Sequence, residues 1–173
     1  VKEPVQKSFQ MKSEKYQIQD KHLHLTFKGP DAKHKDVPAL DVLSMLLGQG
    51  DSSLLVKKMR LEKPIASSVS AYNYNPKDQG LLTLSAHYQL GDSVNQTESE
   101  KFHEVVSAIL AQINEMRNNP PSWNEIKRAR VGLSSEQFYS VETVDGLASH
   151  AGGLEFYLGD DKGDKKYLAA INK

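Results

Sequence analysis

The sequence predicts an α+β fold: a mostly antiparallel sheet in two layers, covered on one face by helices. Three features of the 173-residue chain carry that prediction. Residues 80–90 alternate, with Leu82, Leu84, Ala86, Tyr88 and Leu90 on one face and Thr83, Ser85, His87 and Gln89, with Leu81, on the other. Residues 97–118 open on a Thr97/Glu100 capping-box pattern. They then place Phe102, Val105, Val106, Ile109, Leu110, Ile113 and Met116 at helical spacing. A sheet with one apolar and one polar face needs helices on one side only. The order of elements is strand, two helices, two strands, long helix and helical tail, which fits α+β.

The elements follow in chain order. Residues 1–15 are polar and read as a linker, and residues 16–173 read as one α+β domain. Residues 16–27 alternate, with Leu23, Leu25 and Phe27 against His22, His24 and Thr26, and Gly29-Pro30-Asp31 ends that strand. Asp36 is placed to cap a helix with Pro38 in its first turn. Leu40, Leu43, Met45, Leu46 and Leu47 form its apolar face and Gly48 closes it. Asp51 or Ser52 can cap the next helix, which carries Leu54, Leu55 and Met59 inward. Pro64 precedes a strand over 65–74, and Asn75-Pro76-Lys77-Asp78 is turn chemistry. Pro120-Pro121 stops the long helix, and Ser122/Glu125 repeats the capping box for a helix through Leu133. The remainder reads as short helices over 144–151, 153–158 and 165–171, with a polar turn from Gly159 to Asp164.

Composition narrows the function classes. Lysine plus arginine equals aspartate plus glutamate at 22 each, with the two signs interspersed, so nothing points to nucleic acid or an anionic membrane as partner. No apolar run approaches the roughly 20 residues of a membrane helix. The absence of cysteine excludes a disulfide framework, thiolate metal sites and a cysteine nucleophile. At this length folding hides roughly 70% of the unfolded surface, so neither a metal nor a disulfide is needed for stability. The chain begins at Val1 without a methionine, and both ends look like cuts in a longer protein.

The candidate chemistry is sparse. His22 and His24 share a strand face and, with His87, compose a possible zinc-binding module, set against solvated histidines on an open sheet face. His103-Glu104 resembles the start of His-Glu-x-x-His, but Ser107 occupies the fifth position, and His-x-x-Glu-His is absent. Ser52 and Ser53 follow a glycine loop and open a helix, a place for an anion or for simple capping. Asp160-Asp161 reads as a solvated turn, and Trp123 as a packing anchor.

Four ordered motifs carry a resemblance. They are His22-Leu-His-Leu-Thr-Phe27 with Asp36-x-Pro-Ala-Leu40; Leu47-Gly-Gln-Gly-Asp-Ser-Ser-Leu-Leu55 leading to Arg60; Ser68-Val-Ser-Ala71 with Asp78-Gln-Gly-Leu81; and Asn124-Glu-Ile-x-Arg-Ala129. Together they resemble the non-catalytic second domain of the insulinase/pitrilysin zinc metallopeptidases, the family that includes the mitochondrial processing peptidase. The resemblance implies a LuxS/processing-peptidase-like metallopeptidase fold and a parent that hydrolyses peptide bonds with zinc held outside this chain. It implies that this fragment is inactive alone, with no catalytic residue and no metal ligand. It implies as partners a sister catalytic domain or subunit and a peptide in the enclosed chamber; the polar strand faces around His24 and His87 are the first candidates for the contact with the sister domain. In active members an arginine, and a tyrosine seven residues later, reach toward the peptide. Arg60 matches the arginine, although it also fits a surface charge at a helix end, and Ser67 replaces the tyrosine. The alternative is a domain of an inactive homologue serving as scaffold or assembly subunit. An exported, periplasmic bacterial parent is the expected setting.

Overall fold

The computed structural model describes residues 6–90, 96–160 and 163–172. Residues 6–19 are exposed and belong to no regular element, and the first five residues of the expected linker lie outside the described residues. Three strands, β1 (Lys21–Gly29), β2 (Ser68–Tyr74) and β3 (Gly80–Tyr88), form one antiparallel sheet in the order β1-β3-β2. The helices are α1 (Val37–Gly48), α2 (Leu54–Val56, continuing as a π-helical segment Lys57–Glu62), α3 (Glu98–Asn118), α4 (Trp123–Ser140), α5 (Val144–Leu158) and α6 (Gly163–Ile171). The α+β class and the one-sided sheet expected from the sequence are what the chain adopts.

Register explains where the strands end. Lys21 pairs with Tyr88 at one end of β1 and Gly29 with Gly80 at the other. Residues 16–20, expected as strand, pair with no strand residue, because β3 ends at Tyr88, and Tyr16 and Ile18 are exposed. Strand β2 begins three residues later than expected. The backbone N–H groups of Ile65 and Ala66 donate to the Met59 carbonyl, at 3.0 and 3.2 Å, and are held as a helix exit. Strand β3 stops at Tyr88, which leaves Leu90 on the surface and not on the apolar face assigned to it.

The core lies between the sheet and the helices. Val69, Ala71, Leu84, Ala86 and Tyr88 meet Leu47, Leu55, Val56, Met59, Val105 and Ile109, with Leu23, Leu25 and Leu43 at the margin. Each fully buried leucine among them contributes roughly 1.5–3 kcal/mol. Helix α1 lies against β2 and is itself backed by α4. Helix α3, expected as the cover of the sheet, reaches the same core with Val105 and Ile109 while Leu110 stays largely outside. A Lys21–Glu98 ion pair at 2.9 Å joins its first turn to the end of β1.

Helix starts obey local chemistry. Both capping boxes form: Thr97 with Glu100 and Ser122 with Glu125 each satisfy two otherwise orphaned backbone donors. Asp36 stands at the N-cap of α1 without a side-chain bond, Pro38 lies in the first turn, and Ser53, not Asp51 or Ser52, stands at the N-cap of α2, also without a side-chain cap bond. Helix α5 runs unbroken through Gly152-Gly153, where two helices were expected, because glycine weakens a helix by about 1 kcal/mol each without blocking its hydrogen bonds.

One close approach fixes the layer spacing. The end of α1 rests on β2 at Gly48, where a Cβ would lie 2.1 Å from the Ala71 backbone nitrogen. Gly50, at φ +78°, then turns the chain toward α2 through the left-handed region. Gly48→Ala is expected to lower stability by about 2–3 kcal/mol, the cost of prising helix from strand. Urea denaturation checks this, and an unchanged midpoint would contradict the close packing.

Candidate functional site

The open face of the sheet gathers the residues that the sequence singles out for metal chemistry. Pairing places His22, His87 and Ser68 in one row, then His24, Ser85 and Ser70, then Thr26, Thr83 and Tyr72. The His22 and His87 rings stack, with centroids 4.0 Å apart and planes 11° from parallel. Ring-nitrogen lone pairs lie in the ring plane, so parallel stacked rings aim them side by side and not at one shared ion. His24 Nδ1 is hydrogen-bonded with Ser85 Oγ at 2.8 Å. Tetrahedral zinc needs ligands that converge from different directions, and this trio does not fit it. Among the described residues no group of three or more His, Asp or Glu side chains is arranged to hold a metal.

Arg60 sits on the π-helical segment, about half exposed, with a loose 3.6 Å ion pair to the largely exposed Asp51. Such an exposed pair holds the guanidinium weakly. The segment closes with Lys63 N–H donating to Lys58 O at 3.2 Å, the five-residue step of a π-turn. π-Turns concentrate at functional sites, and propensity gives no sign of one in the sequence. Ser67 is exposed, and both its backbone N–H (2.8 Å) and its Oγ (3.1 Å) donate to the His87 carbonyl. That hydroxyl is tied back to β3.

The remaining candidates have local roles. Ser53 Oγ donates to Gly50 O at 2.7 Å, and His103 Nδ1 lies 2.7 Å from Ser99 O on its own helix. Asp160 accepts from Lys166 Nζ, and Asp161 lies outside the described residues. Trp123 is not the packing anchor expected. It is 62% exposed, with the Arg130 guanidinium 4.8 Å from the ring centroid.

The structure also assembles two polar clusters that sequence reasoning missed. In the first, Asp41 on α1 accepts from Asn73 Nδ2 at 2.9 Å and from the Tyr167 hydroxyl at 2.8 Å. Burial pushes the Asp41 carboxyl above the usual carboxylate range, and the two donors oppose that shift only in part. Burial, reinforced by the Asp41 charge, pushes the Tyr167 phenol well above its ordinary range, so it stays a donor. In the second, Asp164 lies 2.7 and 2.8 Å from His150 Nε2 through its two oxygens and accepts from Gln137 Nε2 at 2.7 Å. A carboxylate only accepts, so His150 Nε2 carries a hydrogen toward it. The one clue in the sequence is a carboxylate inside the apolar run Leu40-Asp41-Val42-Leu43.

Together these observations define a two-layer α+β domain with one open sheet face and an exposed arginine beside it in sequence. The chain belongs to the family described as Peptidase M16 inactive domain, which matches residues 2–133. It is 27% identical over 158 residues to the uncharacterized zinc protease YmxG of Bacillus subtilis, a match covering 91% of this chain and 36% of that protein. It is 27% identical over 124 residues to the zinc protease PqqE of Helicobacter pylori, covering 72% and 26%. The solved structure of a protease from Helicobacter pylori shares the fold with a TM-score of 0.77 at 22% identity, over 91% of this chain and 36% of that one. The chain thus spans about a third or less of the length of the curated relatives it matches.

Two outcomes follow from the site geometry. Titration of the chain with Zn²⁺ should give no saturable isotherm, and a one-to-one isotherm abolished by His87→Ala would contradict the divergent ring geometry. The raised Asp41 value means that the folded chain holds a proton the unfolded chain has released from about pH 4 upward. Its stabilising contribution is full below that range and is lost as pH rises through the folded value. Asp41→Asn should therefore lose less stability than the wild type between pH 4 and pH 7 in urea denaturation. An equal or greater loss would contradict burial as the cause.

Proposed function

We propose that this chain is a non-catalytic wall domain of a zinc-dependent metalloendopeptidase, helping to enclose a peptide while the zinc and its general base belong to a sister catalytic domain or subunit. The family match over residues 2–133 carries this reading. The zinc-protease names of its bacterial relatives support the reaction class of the parent, in which metal-activated water attacks a peptide carbonyl. The geometry of this chain agrees with a supporting role. The rings of His22 and His87 stack in parallel, and its open face presents imidazoles and hydroxyls suited to a polar contact with a neighbouring domain.

Arg60 is the residue of this chain assigned to the peptide. Its guanidinium is exposed and only loosely paired with Asp51, which leaves donors for a peptide carbonyl or carboxylate. Ser67 contributes nothing at that distance, because its hydroxyl is spent on the His87 carbonyl. That same observation favours a second reading, in which the parent is an inactive homologue serving as scaffold or assembly subunit. The proposal also places the parent among exported bacterial proteins, which cell fractionation would check.

In the full-length protein, Arg60→Ala should lower kcat/KM for peptide hydrolysis about tenfold, equivalent to about 1.4 kcal/mol of lost binding. The loss should fall in KM, with zinc content unchanged. An unaltered kcat/KM would remove Arg60 from the peptide site. A zinc-free, inactive full-length protein would favour the scaffold reading.

A further inference from the structure

The two polar clusters meet on one short helix. Asp164 and Tyr167 stand three residues apart on α6, hence on one side of it. Asp164 is held by His150 of α5 and Gln137 of α4, and Tyr167 by Asp41 of α1, which also takes Asn73 of β2. Three elements, α1, α4 and α5, therefore grip α6 through two of its side chains, with Asn73 of β2 bracing Asp41 from behind. Burial holds α6 less firmly than the core: of its nine residues Gly163 and Ile171 are buried and Asp164, Tyr167 and Leu168 half-buried, whereas the sheet–helix core is built on Leu55, Leu84, Val105 and Ile109, each with no exposed surface.

We infer that α6 is a releasable strap, fastened by the Asp164 and Tyr167 hydrogen bonds, which opens as a unit while the sheet and α1–α3 stay folded. A side-chain hydrogen bond to water costs little more than one within the protein, so such a fastening loosens far more readily than a core of buried leucines and valines. Cooperative units of low local stability are the ones that move. Release frees Asp41 of its Tyr167 partner and removes one of the braces on α1, the helix whose Gly48 end rests on β2.

The chain has no cysteine, so a single introduced thiol is a unique reporter. Ile171→Cys reports the α6 seat and Val69→Cys reports the core, and each is followed by its rate of alkylation. The thiol at 171 should react at least tenfold faster than that at 69. Adding Tyr167→Phe or Asp164→Asn should speed reaction at 171 at least tenfold again and leave 69 within twofold. Equal rates at the two thiols, equal acceleration of both by either variant, or no acceleration at 171 would overturn the strap. Hydrogen exchange on the unaltered chain reads the same property without substitution. Amides of Gly163–Ile171 should exchange well before those of β3 and α3, and simultaneous exchange would overturn the inference.

Discussion

The contact of α1 with β2 is the constraint on which the other features depend. Leu47 can reach the core beside Ala71 because the next residue has no side chain to hold the helix off the strand. From that contact follow the one-sided sheet, the sharp turn at Gly50 and the placement of α2 with its π-helical extension. The face turned away from α1 is left to hydroxyls, imidazoles and two tyrosines. The main apolar seam lies between the sheet and the helices, with Ala129, Leu133 and Ile171 buried outside it on α4 and α6, and the opposite sheet face carries mostly polar side chains.

The surface charge of the chain is balanced and contributes little to its stability. Net formal charge is zero, and the ion pairs at the surface are mostly exposed, so they add little stability. Two of the titratable groups that burial perturbs, Asp41 and Tyr167, are bonded to each other across α1 and α6. Shifted ionisation marks a functional site only when substrate can reach it. Here it marks the joint between the body of the domain and its last described helix.

Much of this was legible in the sequence because it is written locally. Alternation in residues 80–88 and the two capping boxes depend on neighbours a few residues apart, and they appear where the pattern puts them. The ordered motifs reached the right family for the same reason. What escaped depends on distant partners. Residues 16–20 alternate as strand residues do, yet β3 ends before it can pair with them. Ile65 has a strand former's side chain, but its backbone is captured by Met59. Trp123 looked like an anchor, and only the fold shows that its side of α4 faces outward. The Asp41–Tyr167 bond spans 126 residues of sequence, and no local signal encodes it.

The central claim is that this domain lines the space in which a peptide is held and does not cut it. Photo-crosslinking tests that most directly: an extended peptide bearing a benzophenone group, irradiated with the full-length protein and mapped by mass spectrometry. The account predicts adducts on the π-helical segment Lys57–Glu62, alongside adducts in a separate zinc-bearing region. Adducts confined to other parts of the protein, with none on this domain, would contradict it.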